Sequence, residues 1–213
     1  MDKDPNHGCR KMSTEQTVYI VDDELQSRES VRALVLSMGV SATVFSSAEE
    51  FLDQYHGEPG CVITDYRMAG LNGIEMQEEL SRRGCHLPVI VVTAYASTPM
   101  TVRAIQYGAV TLLDKPYDDD DLWQAIRNAL AADTQRRNQL GALAELQQRM
   151  ESLTNKEREV LELMIQGKAN KTMATILDVS LRTIENRRRS IFSKFGANSV
   201  AELVALVLQL KAP

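Results

Sequence analysis

Five short aliphatic runs constrain this chain more than any other feature: Thr17–Val21, Ala42–Phe45, Cys61–Thr64, Val89–Thr93 and Val110–Leu113. They are rich in Val and Ile and almost free of charge, which is how a strand buried on both faces reads. Between them the apolar residues switch to a helical period. Val31, Leu34, Val35 and Met38 fall at i, i+3, i+4 and i+7, and Leu122, Ala125, Ile126, Ala129 and Leu130 repeat the pattern. Thr98 followed by Pro99 reads as a helix N-cap with proline at the first helical position. Five βα units in succession predict an α/β fold, a doubly wound parallel sheet.

Beyond the sheet the pattern changes. Asp118–Leu153 holds no proline and one glycine, Gly141, so the last helix is expected to run well past the strands. Leu143, Leu146, Met150 and Leu153 recur along it at steps of 3, 4 and 3. That spacing suits a dimer seam and suits equally a solvated helical linker touching its own domains. From Thr154 onward there is no strand signal. Thr154-Asn155-Lys156-Glu157 is a capping box opening a helix that Gly167 closes. A short helix over Thr172–Leu177 follows, then one N-capped by Ser180 and running to Phe195, then a last one opened by a second box, Ser199 to Glu202. The expected organisation is a polar tail over 1–16, a sheet domain over 17–131, a helical linker over 132–150 and an all-α four-helix domain over 151–213.

The composition excludes several classes. With 44% hydrophobic and 25% charged residues the chain reads as an ordinary water-soluble globular protein. No run approaches the ~18–20 apolar residues that span a bilayer, and the charged Met1–Gln16 lacks the apolar core of a secretory signal. No membrane association is expected, and the cytoplasm is the expected location. Cys9, Cys61 and Cys85 have no metal-ligand spacing, and Cys61, inside a strand, reads as a buried reduced thiol. The net charge of −5 is unevenly spread: Glu151–Pro213 carries ten basic and seven acidic residues, and the rest is acidic. An acidic part joined to a basic part suggests two jobs.

Polar residues interrupt each strand at its carboxyl end. Asp22 and Asp23 follow the first strand, Asp65 the third and Lys115 the fifth, and Thr93 ends the fourth. Ligands of open parallel sheets sit outside the carboxyl ends, where strand order reverses. With order 2-1-3-4-5 the first and third strands are neighbours, so the three carboxylates converge. Carboxylates that repel one another suit a hard divalent cation, Mg²⁺ above all. A carboxylate beside that ion, with an ammonium and a hydroxyl close by, can attack a phosphoryl group and leave an acyl phosphate on Asp65. One strand-end Asp is usually a loop residue or a cap; four such positions in order make the bland reading hard to sustain.

At these residues the chain resembles the receiver domains of two-component response regulators. The matching motifs are Val21-Asp22-Asp23-Glu24, Thr64-Asp65-Tyr66-Arg67-Met68, Val92-Thr93-Ala94 and Asp114-Lys115-Pro116, and the likeness covers about Thr17–Ala131. It implies a flavodoxin-like (βα)5 fold in which Asp65 accepts phosphate from the phosphohistidine of a sensor histidine kinase. It implies that Asp23, Asp65 and the carbonyl of Arg67 bind Mg²⁺, that Asp22 acts through water, that Thr93 and Lys115 contact the phosphoryl group, and that the Lys115–Pro116 bond is cis. Two positions depart from the pattern. Leu112 stands where receivers usually carry the aromatic residue that swings inward on activation, although Tyr95 and Tyr117 are nearby. Ala69 stands where a proline is usual.

In the second half, Ile184, Ile191 and Phe195 form a core-facing stripe. Opposite them Arg182, Glu185, Asn186, Arg189 and Ser193 share one face, flanked by Arg187, Arg188 and Lys194. A capped helix presenting guanidinium and amide groups suits the major groove of double-stranded DNA, with the flanking cations on phosphates. Charged helix faces are most often merely solvated. Here Gly167–Ser180 supplies the preceding helix and turn of a helix-turn-helix unit.

Thr154–Val207 resembles the LuxR-type output domain of NarL- and FixJ-like regulators. The match rests on Leu153-Thr154, Glu157-Arg158-Glu159-Val160-Leu161, Gly167, Asn170-Lys171, Ile176-Leu177, Val179-Ser180, Arg182-Thr183-Ile184-Glu185 and Lys194-Phe195-Gly196. With the receiver, it places the chain nearest the FixJ-like group. By position, Glu185, Asn186 and Arg189 face bases, and Thr183, Arg187, Arg188 and Lys194 contact the backbone. Arg187 replaces a histidine common in relatives. The last helix, with Val200, Leu203, Val204, Leu206, Val207, Leu208 and Leu210, is apolar on more than one face. One face closes the bundle; the other either pairs two copies or is buried within the monomer.

The expected function is therefore a DNA-binding transcription regulator rather than an enzyme. Phosphotransfer to Asp65 would shift the segment Thr98–Lys115 and either promote receiver dimerisation or release the DNA-binding domain from an inhibitory contact, and a dimer would sit on an inverted repeat. The main alternative is a receiver that serves only as a dimerisation module, independent of phosphorylation. A phosphatase of the haloacid dehalogenase type needs a second carboxylate where Arg67 stands. A dinucleotide-binding enzyme needs a glycine-rich turn where Asp22-Asp23-Glu24 stands.

Overall fold

The computed structural model describes residues 16–94 and 109–210. It divides into two compact units, Met1–Arg136 and Arg137–Pro213. The N-terminal tail with Cys9, the cap at Thr98-Pro99, Tyr95 and most of the segment expected to shift on activation lie outside the described residues.

The first unit is built on a five-stranded sheet: β1 (Thr17–Val21), β2 (Ser41–Phe45), β3 (Gly60–Asp65), β4 (Val89–Thr93) and β5 (Ala109–Asp114). The order is β2-β1-β3-β4-β5 and every pairing is parallel. This is the doubly wound arrangement the aliphatic runs predict. Alternate side chains supply two cores, one per face. Tyr19, Val21, Val62, Val89 and Val91 pack with helices α2 (Ala48–Gln54) and α3 (Gly73–Arg82) through Phe51, Leu52, Ile74 and Leu80. Val18, Ile20, Cys61, Ile63, Ile90 and Val92 pack on the other side with α1 (Leu25–Ser37) and α4 (Asp119–Glu151) through Val31, Val35, Leu122 and Ile126. The three central strands, β1, β3 and β4, are buried almost throughout, whereas the edge strands β2 and β5 are only partly covered.

At the amino end of β3 a buried polar knot ties α4 to the sheet. The amide of Gly60 donates to Asp133 Oδ2 at 3.0 Å, and Arg136 pairs with Asp133 Oδ1 at 2.8 Å. Gly60 has φ +152°, and a Cβ there would lie 1.9 Å from the Thr17 carbonyl oxygen, so only glycine fits. The neighbouring Cys61 thiol is fully buried, and burial, with the charge of Asp133, pushes it up to about 12. It stays a protonated thiol.

The helix α4 is 33 residues long, as the uninterrupted pattern predicts, with Asp119, Asp120 and Asp121 in the first turn, where the helix dipole favours them. Its last turns belong to the core of the second unit: Leu146 and Leu153 are buried there and Met150 packs beside them, whereas Leu143 is exposed. Leu146, Met150 and Leu153 of this spacing thus pack within the second unit.

The second unit continues with α5 (Asn155–Ile165), α6 (Asn170–Ile176), α7 (Leu181–Phe195) and α8 (Val200–Gln209). Thr154 and Glu157 form the expected capping box, and Gly167, at φ +74°, follows the end of α5. Ser180 caps α7, its oxygen accepting from Thr183 N at 3.1 Å. Two details differ from the sequence reading. Helix α6 starts two residues earlier than expected, because its N-cap Ala169 offers no side-chain acceptor to mark it. The box at Ser199 is half made: Ser199 accepts from Glu202 N, but the Glu202 carboxylate takes the amide of Asn198.

Candidate phosphoacceptor pocket and nucleic-acid interface

Register brings the acidic residues together. Val21 pairs with Thr64, so Asp22 and Asp65 leave adjacent strands side by side, and Thr93 pairs with Asp114, so Lys115 follows beside it. The Lys115 amide donates to the Thr93 carbonyl at 2.7 Å, and the Lys115–Pro116 bond is cis, as expected. Lys115 Nζ lies 2.7 Å from Asp65 Oδ1 and 3.5 Å from Asp22 Oδ2. Partial burial pulls the ammonium down. The Asp65 hydrogen bond and charge, joined by those of Asp22, outweigh it and leave Lys115 raised above the ordinary lysine value. Thr93 is 1% exposed at the end of β4.

Each carboxylate also has donors of its own. Asp22 accepts from Glu24 N at 2.9 Å and Ser27 Oγ at 2.6 Å, while the Arg28 guanidinium holds the Asp22 carbonyl. Asp65 Oδ2 accepts from Arg67 N at 2.7 Å, and Asp23 Oδ2 from Ala69 N at 3.0 Å. The Arg67 carbonyl thus belongs to a short turn whose two ends touch the two carboxylates. Ser27, Arg28 and the Ala69 amide were not legible as site groups, because spacing carries no sign of them.

Among the described residues no three His, Cys, Asp or Glu side chains converge into a ready metal cluster. Mg²⁺ does not require one, since it keeps several waters and binds through one or two carboxylates. The donors here, hard oxygens from Asp23, Asp65 and the Arg67 carbonyl with Asp22 behind them, suit that ion in type and charge.

Leu112 packs half-buried against the face of the sheet that carries Tyr19 and Val91. Tyr117 packs on the opposite face, where burial raises its phenol. Tyr117 therefore does not occupy the space of the missing aromatic.

In the second unit Ile184, Ile191 and Phe195 are buried, as their spacing predicts. Arg182, Glu185, Asn186, Arg189 and Ser193 are exposed together along the opposite face of α7, with Thr183 and Arg187 half-exposed at its sides. The Thr183 hydroxyl is 2.8 Å from Ser180 Oγ, and the Arg188 guanidinium lies over the Phe192 ring at 5.7 Å. Lys194, expected among the phosphate contacts, is bonded within its own domain here. Its ammonium reaches Glu157 Oε2 at 2.7 Å and the Ser152 carbonyl at 2.8 Å, because a buried carboxylate attracts it more strongly than solvent does.

Comparison with known proteins agrees with both halves. Residues 18–127 match the response regulator receiver domain, and residues 151–207 match the luxR family of bacterial regulatory proteins. The chain thus belongs to the two-component response regulators, as a receiver followed by a LuxR-type DNA-binding domain that regulates transcription. It is 40% identical over 194 residues to the transcriptional regulatory protein FixJ of Azorhizobium caulinodans, covering 90% of this chain and 91% of that one. Among solved structures it is similar to the response regulator StyR, with 37% identity, a TM-score of 0.86 and coverage of 92% and 99% of the two chains. Full-length FixJ from B. japonicum matches at 34% identity and a TM-score of 0.57, covering 93% of this chain and 98% of that one. Among the described residues no single helix is long and apolar enough to cross a membrane.

Proposed function

We propose that Asp65 receives a phosphoryl group from a sensor histidine kinase in the cytoplasm, and that this modification controls binding of a homodimer to double-stranded DNA. The observation that carries the reading is the 2.7 Å contact of Lys115 Nζ with Asp65 Oδ1, with the Lys115 amide bonded to the Thr93 carbonyl. An Asp65 oxygen attacks phosphorus, the P–O bond forms, and the P–N bond to the kinase histidine breaks with its electron pair returning to the ring. Lys115 would offset charge on the transferred oxygens, and the Thr93 hydroxyl would donate to one of them. Asp23, Asp65 and the Arg67 carbonyl would hold Mg²⁺, with Asp22 acting through water, and the ion supplies further charge neutralisation at the phosphoryl group. The domain boundaries at 16/17, 131/132 and 150/151 belong to the same reading.

For the output, Glu185, Asn186 and Arg189 would face bases, and Arg182, Thr183, Arg187 and Arg188 would meet the backbone. A dimer through the apolar stripe of α8 made by exposed Val200 and Leu208, the latter 55% exposed, and half-buried Val204 would set two recognition helices on an inverted repeat, about 34–36 Å apart. A few kcal/mol of differential stabilisation by the phosphoryl group would switch the population.

Leu112 supports one competing reading, a receiver that dimerises without phosphorylation. The test treats wild type and Asp65→Asn with a small phosphodonor and Mg²⁺, then reads intact mass, oligomer size and binding to selected DNA on the same samples. Labelling of wild type alone, with a gain in DNA affinity, is expected. Operator binding that ignores both donor and substitution would replace this proposal with the competing one.

A further inference from the structure

The turn after Asp65 donates to both carboxylates of the pocket. Arg67 N–H is 2.7 Å from Asp65 Oδ2, and Ala69 N–H is 3.0 Å from Asp23 Oδ2. A third bond fixes the same turn from outside: Leu71 N donates to Glu49 Oε1 at 2.9 Å, and a Cβ on Gly70 would lie 2.4 Å from that oxygen. The turn is therefore strapped against α2 while its amides face the acidic residues.

A proline at position 69 has no N–H and cannot make the bond to Asp23. We propose that the Ala69 N–H competes with a divalent cation for the Asp23 carboxylate, and so makes residue 69 a determinant of Mg²⁺ affinity in this chain. This inference rests on the reading that Asp23 and Asp65 hold Mg²⁺. The N–H is a charge-assisted donor that fixes the carboxylate's orientation toward the turn. Mg²⁺ demands near-ideal octahedral geometry at short oxygen distances, and in this proposal it would take Oδ2, the Asp23 oxygen that the Ala69 N–H holds. Binding the ion therefore weakens or breaks the Ala69 bond. The cost of that rearrangement falls on this chain and not on one whose turn carries proline.

The test measures Mg²⁺ binding to the full chain by calorimetry for wild type, Ala69→Pro and Ala69→Gly, and follows the Ala69 amide of wild type by NMR. Ala69→Pro is expected to bind Mg²⁺ roughly 3- to 10-fold more tightly, the scale of one lost competing hydrogen bond. Ala69→Gly, which keeps the N–H, should stay within about twofold of wild type on the same scale. In wild type the Ala69 amide proton should move upfield and exchange faster as Mg²⁺ is added. A folded Ala69→Pro with equal or weaker affinity overturns the inference, as does an Ala69 amide indifferent to saturating Mg²⁺. If Ala69→Pro does not fold, the wild-type amide decides alone. Absence of any Mg²⁺ binding by wild type would overturn both this inference and the metal assignment, whereas normal wild-type binding with unchanged variants overturns this inference only.

Discussion

Glu157, at the third position of α5, reaches across to Lys194, near the end of α7, with 2.7 Å between Oε2 and Nζ. The same carboxylate accepts from Ser190 Oγ at 2.6 Å and from Thr154 N at 2.8 Å. One nearly buried group thus completes a helix cap and fastens α7 to α5. Burial works against its charge, but the bonds from Lys194, Ser190 and Thr154 prevail and bring Glu157 down to about 2.

That depression gives the second domain an acid-sensitive step. A carboxylate whose pKa is about 2 folded and 4.5 unfolded stabilises the fold fully above 4.5 and loses the contribution as pH falls toward 2. Urea unfolding of wild type should lose about 1–3 kcal/mol across this window from this group. Glu157→Gln should be less stable at neutral pH and lose less on acidification. A parallel decline in the two proteins would show that Glu157 does not drive the step.

Lys194 makes a separate prediction about DNA. A lysine on a phosphate contributes about −0.9 to the slope of log K against log salt. Because Lys194 is already bound to Glu157 and Ser152, Lys194→Ala should lower domain stability by about 2–4 kcal/mol and leave the salt slope unchanged. Arg187→Ala, half-exposed beside the stripe, should reduce the slope by about one instead. Equal slope changes would return Lys194 to the phosphate contacts.

Arg189 tests the base-facing stripe. It is exposed between Asn186 and Ser193 on the face opposite Ile184 and Ile191. Selection of bound sequences with Arg189→Ala should relax preference at one base pair per half-site, at a cost of about 1–3 kcal/mol. Unchanged preference would move base reading elsewhere on α7.

How far these features could be read beforehand depends on where each partner lies. The sheet was legible because its central strands are buried almost throughout and so are rich in Val and Ile, and charged residues appear at the carboxyl ends, where Asp65 and Lys115 stand. The buried stripe of α7 was legible for the same reason, since 3.6-residue spacing encodes a face. Lys194 was not, because a lysine beside an arginine run looks alike whether it meets phosphate or a carboxylate on another helix. Nor was the Ala69 donor, since a backbone N–H has no letter of its own and only the absence of proline hints at it. Asp133 is hidden likewise: its partner Gly60 lies 73 residues away, joined by a bond no local pattern encodes.

Gly141 offers a stabilising substitution. It lies within α4, and a Cβ added there meets nothing within 4 Å. Alanine loses less backbone entropy on folding than glycine, so Gly141→Ala should stabilise the helix by about 0.5–1 kcal/mol without a steric cost. Thermal unfolding of the full chain should show the gain, and a loss would mean that flexibility at this position is built into the linker.

Asp133 ties that helix to the sheet from inside. It is 0% exposed, accepts the Gly60 amide at 3.0 Å and pairs with Arg136 at 2.8 Å. Removing the carboxylate leaves a buried N–H without this acceptor and a guanidinium without its counter-charge, each costly in a low-dielectric interior. Asp133→Ala should therefore cost about 3–5 kcal/mol, and Asp133→Asn less, because its amide oxygen can still accept from Gly60. Hydrogen exchange should locate the damage at the Gly60 amide. If that amide stays protected in Asp133→Ala, another group has taken over as acceptor, and the bond to α4 is not what holds the amino end of β3.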